Sequence, residues 1–163
     1  MKALYPGTFD PITYGHLDIL ERAASLFDEV VITVAVNTRK ESVFTEQERV
    51  ALIEQTLEGK AWAEKVRVVA FTGLLVDHAR ELKVNTLIRG VRQLSDFEYE
   101  FRMALMNRRL APEIDTVFLM PQEQLTFVSA TIVREVAYWG GDLSQFVPDH
   151  VAAALRGKFP GKR

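Results

Sequence analysis

Cysteine is absent from this chain of 163 residues. Its absence excludes disulfide bonds, thiol nucleophiles and cysteine-ligated metal ions. Long apolar runs are missing as well, so no segment has the length of a membrane span. The residues before Pro6 are too few to form the apolar core of a signal peptide. These absences favour a reducing, cytoplasmic setting.

An excess of charge of either sign is also lacking. The sequence has 20 Lys and Arg against 22 Asp and Glu, which makes the formal net charge -2. This balance offers no general attraction to nucleic acid or to an anionic membrane. No spacing of histidines or carboxylates indicates a metal site built by the protein alone. A binding site for an anion would therefore need a local cluster of basic groups.

What the sequence does contain is an alternation of short apolar runs and amphipathic segments. The runs predict strands at 3–5, 30–36, 66–71, 86–89 and 116–120, with helices between them. Thr45 and Ser95 each begin a Ser/Thr-x-x-Glu capping box, and Ser129 fits the N-cap of a later helix. The pattern predicts one α/β domain over 1–163, a Rossmann-like doubly wound five-stranded parallel sheet with helices on both faces.

The loop after the first strand has a composition that favours anion binding. Sheets of this class bind ligands beyond the carboxyl ends of their strands. His16 falls in the first turn of the next helix, where free N–H groups and the helix dipole attract an anion. A lone histidine is more often a polar surface residue, but this one follows a loop of glycines and threonines. Asp10, between Phe9 and Pro11, is expected to stabilise the turn rather than act as a base.

Several stretches resemble a known family. The run 7–16 is similar to the Thr-x-Gly-His signature of the nucleotidyltransferase superfamily, and residues 5–11 resemble the phosphopantetheine adenylyltransferase family in particular. The Ile-Arg-Gly-x-Arg stretch at 88–92 and the Asp-Phe-Glu-Tyr-Glu stretch at 96–100 are the more specific features. Together with 44–49 and 117–121, the similar stretches follow the family's order over nearly the whole chain.

The resemblance implies an activity. It is the direct transfer of the adenylyl group of ATP to 4′-phosphopantetheine, giving dephospho-coenzyme A and pyrophosphate without a covalent intermediate. Magnesium is implied as a cofactor, held mainly by the substrate phosphates. The family further suggests a homohexamer and coenzyme A as a feedback inhibitor. The apolar helix that follows Asp96 is either doubly buried or an oligomer contact.

The resemblance also implies which residues act on the acceptor and in catalysis. They are His16, Lys40 and Thr8 for catalysis, and Thr8, Lys40, Leu75 and Arg89 for acceptor binding. From spacing alone, Lys40 is a solvated loop charge. Arg89 has the alternative of a surface salt bridge with Asp96 or Glu100.

Three loops are implied in nucleotide binding, and the last of them departs from the family. The implied residues are Thr8, Phe9, His16, Gly90, Val91, Arg92, Glu100, Leu125, Thr126, Phe127, Val128, Ser129, Ala130 and Thr131. The family usually has an aromatic residue where this chain has Leu125, and a hydroxyl where it has Ala130. If backbone N–H groups hold the phosphates, Ala130 should lower the nucleotide affinity little. If a side-chain hydroxyl is required, the nucleotide affinity should fall. An N-cap role alone would explain Ser129.

Two other functions are compatible with the sequence. One is a transfer by the same superfamily to a different acceptor, such as nicotinamide mononucleotide or a cytidylyltransferase substrate. The other is a nucleotide-binding module without turnover. The stretch 88–92 argues against the first, and intact Thr8, His16, Lys40, Arg89 and Arg92 argue against the second.

Overall fold

A computed structural model describes residues 1–36 and 41–160 of the chain. In these residues five strands form one parallel sheet in the order β3-β2-β1-β4-β5. The strands are β1 (Lys2–Gly7), β2 (Glu29–Ala35), β3 (Val66–Phe71), β4 (Thr86–Gly90) and β5 (Asp115–Leu119). The order reverses direction at β1, which is the arrangement of a doubly wound sheet. The predicted fold class is confirmed, and each strand lies within two residues of its predicted bounds.

Helices cover both faces of the sheet. They are α1 (Tyr14–Leu26), α2 (Glu46–Leu57), α3 (Leu75–Glu81), α4 (Leu94–Leu110), α5 (Ala130–Tyr138) and α6 (Asp149–Lys158), with short 3₁₀ turns at Ala61–Lys65 and Glu123–Leu125. Successive side chains of a strand point to opposite faces. Tyr5 accordingly packs in the larger core cluster with α1, whereas Leu4 packs in the smaller one with α3. The boundaries 1–163 of the domain stay a prediction.

The helix starts confirm two of the three predicted caps. Thr45 accepts from the Glu48 N–H and forms the predicted capping box. Ser129 accepts from the Ile132 N–H and caps α5 as predicted. The capping box at Ser95 is wrong, because α4 already begins at Leu94 and its N-cap residue makes no side-chain cap hydrogen bond.

Helix α4 leaves many apolar side chains exposed. Of the two readings of this helix, double burial is wrong for the chain taken alone, since Leu94, Tyr99 and Met106 are each more than half exposed. None of the helices in the described part of the chain is long and apolar enough to cross a bilayer.

Leu20 tests the role of α1 in the larger core. Its side chain is fully buried, whereas Leu26 in the same helix is 57% exposed. Leu20→Ala should lower the free energy of unfolding by about 2–5 kcal/mol, because a buried leucine loses its contacts and leaves a cavity. Leu26→Ala, the matched control, should change it by less than about 0.5 kcal/mol. Denaturant unfolding measures both, and equal effects would contradict the assigned core.

Candidate active site

A cleft of about 400 Å³ lies at the carboxyl ends of β1 and β4. This is where the strand order reverses, and where doubly wound sheets bind ligands. Its walls come from the loop after β1, the start of α1, the connection after β4 and the start of α5. The lining residues are Tyr5, Pro6, Gly7, Thr8, Phe9, Asp10, Thr13, Gly15, His16, Ile19, Glu41, Ser42, Arg89, Gly90, Arg92, Asp96, Glu100, Pro121, Val128, Ser129, Ala130, Thr131 and Arg134.

The loop after β1 takes a tight path that requires Gly7. Phe9 lies in the left-handed backbone region, with a φ of 49°, and its ring packs against the backbone of Gly7. A Cβ atom at position 7 would come within 2.9 Å of this ring. Phe9 also makes edge-on contacts with Tyr5 and with the His16 imidazole, at ring-centroid distances of 5.4 and 5.0 Å. The loop therefore places the imidazole on one side of the cleft.

His16 belongs to a capping box that the sequence interpretation missed. The Thr13 N–H donates to the Nδ1 atom of His16 at 3.1 Å, and the Thr13 hydroxyl accepts from the His16 N–H at 3.3 Å. Since Nδ1 accepts a hydrogen bond, the proton of the neutral ring belongs on Nε2. The signal was present in the sequence as Thr13-x-x-His16, in which histidine replaces the usual Glu or Gln.

The surroundings keep this imidazole neutral. Burial, together with the positive charges of Arg92 and Arg89, lowers the pKa of His16 to about 4. A neutral ring at pH 7 offers Nε2–H as a hydrogen-bond donor and carries no formal charge of its own. His16 can therefore donate to a phosphoryl oxygen in the cleft while its other nitrogen remains fixed.

Arg89 lies at the end of β4 in a bidentate ion pair. Its Nε and Nη2 atoms donate to the two carboxylate oxygens of Glu100 at 2.7 and 2.6 Å, and Nη1 donates to the Pro6 carbonyl at 2.9 Å. A salt bridge with Glu100 is present, as the alternative for Arg89 expected, but it does not lie at the surface, because Glu100 is buried. The pair still lines the cleft, and a guanidinium has five N–H donors, so Arg89 keeps two for a ligand.

Arg92 is held in a similar way. Its Nε donates to Asp96 at 3.0 Å, and its Nη1 donates to the Val128 carbonyl at 2.9 Å. The second bond ties the connection after β4 to the start of α5. These contacts fix the direction of the guanidinium, which faces the cleft between the two segments.

The structure gathers most of the residues that the sequence predicts. Eleven line the cleft: Thr8, Phe9, His16, Arg89, Gly90, Arg92, Glu100, Val128, Ser129, Ala130 and Thr131. Lys40 lies outside the described residues. The roles of all of them stay predictions.

Four predicted nucleotide contacts do not line the cleft. Val91 donates its N–H to the Leu119 carbonyl, and the Thr126 hydroxyl donates to the Glu123 carbonyl. Leu125 packs against the larger core, and Phe127 is half exposed with its ring against Phe146. For Leu125, Thr126 and Phe127, the 3₁₀ turn Glu123–Leu125 was not predicted from the sequence.

Leu75 lines a second cavity of about 260 Å³ beside the cleft. Its exposed wall is mostly apolar and includes Phe71 of β3, Leu75 of α3 and Met103 of α4. The two cavities share Pro6, Gly7, Thr8, Arg89 and Glu100. The Arg89–Glu100 pair therefore stands at the boundary between them.

Arg134 is a cleft residue that the sequence analysis missed. Its Nη1 donates to the Asp10 carbonyl at 2.6 Å, and its Nη2 lies 3.4 Å from the Thr131 hydroxyl. The three-residue spacing from Thr131 places both on one face of α5. That spacing was the available signal, since Thr131 was already a candidate.

The acidic side chains and histidines of the described residues bear on whether the protein itself could hold a metal ion. No group of three or more His, Asp or Glu side chains there could hold a metal ion. In the cleft, the carboxylates of Asp10, Asp96 and Glu100 already bind backbone N–H groups or guanidinium groups.

Comparisons with known proteins agree with the fold. The model of a family described as cytidylyltransferase-like matches residues 4–136. A nicotinic acid mononucleotide adenylyltransferase of Plasmodium falciparum, solved with NaAD, has a TM-score of 0.72 at 14% identity, covering 97% of this chain and 95% of its own. A putative nicotinate-nucleotide adenylyltransferase of Vibrio parahaemolyticus has a TM-score of 0.70 at 15% identity, covering 94% and 90%.

A third solved structure shares the fold over part of its length. It is a bifunctional NMN adenylyltransferase/ADP ribose pyrophosphatase of Francisella tularensis, solved with AMP and a manganese ion. The TM-score is 0.69 at 18% identity, covering 96% of this chain and 48% of that one. At these identities the three structures show the shared fold.

The protonation of His16 can be tested directly. Ring-proton NMR signals should show one histidine that titrates near pH 4, and His16→Gln should remove that signal. Because the folded pKa lies below the unfolded value of about 6.5, the unfolded chain binds more protons between these pH values. His16 should therefore make the free energy of unfolding rise as pH increases through this window. A His16 signal that titrates near 6.5 would contradict the assigned environment.

Proposed function

The chain belongs to the cytidylyltransferase-like family of the nucleotidyltransferase superfamily, and we propose that it transfers the adenylyl group of ATP to 4′-phosphopantetheine. An oxygen of the 4′-phosphate attacks the α-phosphorus of ATP, the bond from that phosphorus to the bridging oxygen breaks, and pyrophosphate leaves. The products are dephospho-coenzyme A and pyrophosphate. A phosphate monoester needs no general base to attack, so the site has to align the reactants and stabilise charge.

One observation carries the proposal. His16 presents a neutral Nε2–H donor in the same cleft that collects Arg92, Arg134 and the first turn of α5. Donors fixed in advance around a developing charge are the main means by which such enzymes lower a barrier. Nε2–H donates to the α-phosphoryl oxygens in the transition state, and Thr8 and Lys40 assist there.

The start of α5 holds the outer phosphates in this proposal. The first N–H groups of a helix have no partner within the helix, and the helix dipole favours an anion there. Ser129 uses its oxygen as an acceptor for the Ile132 N–H. Ala130 lines the cleft and has no side-chain hydroxyl, which favours binding by N–H groups at this position. Arg92 and Arg134 supply the positive charge beside this helix end.

The second cavity suits the acceptor. It has a mostly apolar wall, and it meets the cleft at Thr8 and Arg89. A narrow, largely uncharged pantetheine arm fits such a wall, with its phosphate at the boundary near Arg89. Leu75 contacts the arm. Coenzyme A contains the same arm and would compete for this cavity, which supports feedback inhibition.

Magnesium enters with ATP as part of the substrate. Mg²⁺ usually keeps several waters and binds through substrate phosphates with few protein ligands. The carboxylates of Asp96, Glu100 and Asp10 are engaged in ion pairs and backbone contacts, and in this proposal the phosphates carry the ion.

We further propose a homohexamer in which α4 forms a contact. Its exposed apolar side chains include Leu94 at 86%, Tyr99 at 62% and Met106 at 56% exposed. Large exposed apolar surfaces in one region are typical of protein contacts. Sedimentation of the purified protein tests this assignment.

The acceptor is tested by a substrate panel. The protein is incubated with ATP, magnesium and 4′-phosphopantetheine, and mass analysis should find dephospho-coenzyme A together with pyrophosphate. In parallel reactions, nicotinamide mononucleotide or nicotinic acid mononucleotide replaces 4′-phosphopantetheine as the acceptor. In a further reaction, CTP replaces ATP. Turnover with a mononucleotide acceptor alone would contradict the proposed acceptor. ATP binding without pyrophosphate release in every reaction would contradict catalysis.

His16→Ala should separate catalysis from binding. Losing one preorganised donor should lower kcat by about 10²- to 10³-fold, while the dissociation constant for ATP changes only a few-fold. His150 is the control, because its Nε2 contacts the Thr56 hydroxyl and the Leu52 carbonyl outside the cleft. His150→Gln should leave kcat within a few-fold of the parent. If kcat for His16→Ala also stayed within a few-fold of the parent, the imidazole would have no catalytic role.

A further inference from the structure

The carboxylate of Asp10 binds a part of the chain far from its own turn. Its two oxygens accept from the Val43 and Phe44 N–H groups, each at 2.9 Å. These partners are 33 and 34 residues away in the sequence, and Asp10 is only 4% exposed. The expected role in stabilising its own turn is therefore incomplete, because the carboxylate fastens a second segment to that turn.

Arg49 makes a second long-range contact with the same loop. Its Nη1 donates to the Thr8 carbonyl at 2.8 Å and to the Ala35 carbonyl at 3.0 Å. The residue is 3% exposed although it carries a charge. Arg49 thus joins the end of β1, where Thr8 follows, to the end of β2.

Together these contacts hold both ends of the connection between β2 and α2. Ala35 is the last residue of β2, and Phe44 comes directly before Thr45, the N-cap of α2. Glu41 and Ser42, which lie just before the Asp10 contacts, line the cleft. The chain on either side of the connection is thereby fixed to residues 8 and 10 of the cleft loop.

A third contact completes the arrangement at Asp10. The Arg134 guanidinium donates to the Asp10 carbonyl, and one of its nitrogens lies 4.0 Å from the Asp10 carboxylate. Both carboxylate oxygens are occupied by backbone N–H groups, so Asp10 is placed as an anchor and not as a base. The cleft loop, the segment before α2 and helix α5 meet at this residue.

We propose that Asp10 and Arg49 are positioning residues, which set where Thr8 and the segment 41–44 stand relative to the reacting phosphates. The inference rests on the proposed function. Hydrogen bonds to a charged group are roughly twice as strong as neutral ones, and removing a buried partner leaves backbone groups unpaired. A displacement of about 1 Å at a reacting centre can lower a rate by about 100-fold.

The main test is Asp10→Asn, which keeps the shape of the side chain. The amide has one accepting oxygen, and its NH₂ group faces a backbone N–H that then lacks an acceptor. With the folded fraction checked by circular dichroism, kcat and KM for each substrate are measured together with the dissociation constant for ATP. We expect kcat/KM for the acceptor to fall about 10- to 100-fold, with ATP affinity within a few-fold of the parent. Hydrogen exchange at the amides of 41–45 should become faster.

Asp142→Asn is the matched control. The Asp142 carboxylate also accepts from a backbone N–H, that of Ser144 at 3.0 Å, and from the Ser144 hydroxyl at 2.9 Å. It does not line the cleft. Its substitution should leave kcat/KM and the exchange of 41–45 unchanged, so that the loss of any Asp–backbone hydrogen bond is told apart from the loss of the one at Asp10.

A merely structural role gives a different result. Asp10→Asn would then lower the melting temperature and leave kcat/KM of the folded enzyme at the parent value, and this outcome overturns the proposal. Unchanged exchange at 41–45 overturns it as well. If Asp10→Asn does not fold, Arg49→Lys carries the same measurements, since one ammonium has to replace a planar donor that reaches two carbonyls.

A failure of the proposed acceptor can be distinguished from a failure of the positioning proposal. A parent protein that forms no dephospho-coenzyme A contradicts the acceptor alone, and the variants are then compared on the acceptor of the panel that is turned over. If the panel finds none, the exchange of 41–45 decides. Faster exchange confined to Asp10→Asn or Arg49→Lys supports the anchoring, and exchange equal to that of the parent overturns it.

Discussion

Strand β1 is hydrogen-bonded along both edges, to β2 on one side and to β4 on the other, and this central position decides where the site lies. The carboxyl ends of parallel strands share one edge of the sheet, so the loops after β1 and β4 must meet there. The imidazole of His16 and the guanidinium groups of Arg89 and Arg92 reach one cleft for this reason. The chemistry depends on the sheet order more than on any single loop.

Within the cleft, the positive groups are partly balanced by acidic partners. Glu100 pairs with Arg89 and Asp96 with Arg92, while His16 stays neutral. A buried guanidinium without a partner would be costly in the free protein. The pairs keep the side chains in place and leave some donors for phosphate oxygens. The cleft can therefore be fixed before a ligand arrives, which lowers the cost of binding.

Much of the fold was predictable from the sequence, and the reasons are local. The run 30–36 is apolar almost throughout because β2 is covered on both faces. The capping box at Thr45 is present, whereas the one predicted at Ser95 is not. The motif at Ser95 did not determine where α4 begins, because Asp96, the next residue, pairs with Arg92. The capping pair of Thr13 and His16 escaped notice because histidine is an unusual residue at the fourth position of the box.

The site was predictable in its loops but not in its long-range contacts. Spacing and resemblance indicated His16, Arg89 and Arg92, which lie at strand ends or in a first helical turn. The contacts of Asp10 with Val43 and of Arg49 with Thr8 span more than 30 residues. They join segments that are far apart in the sequence, and no local pattern encodes such a pairing.

The most direct measurement is a crystal structure of the protein with magnesium and a non-hydrolysable ATP analogue. The account predicts that His16 Nε2 lies about 2.7–3.1 Å from an α-phosphoryl oxygen, with Nδ1 still bound to the Thr13 N–H. It also predicts the outer phosphates at the first turn of α5. An imidazole turned away from the α-phosphate, with no phosphoryl oxygen within hydrogen-bond reach, would contradict the catalytic account.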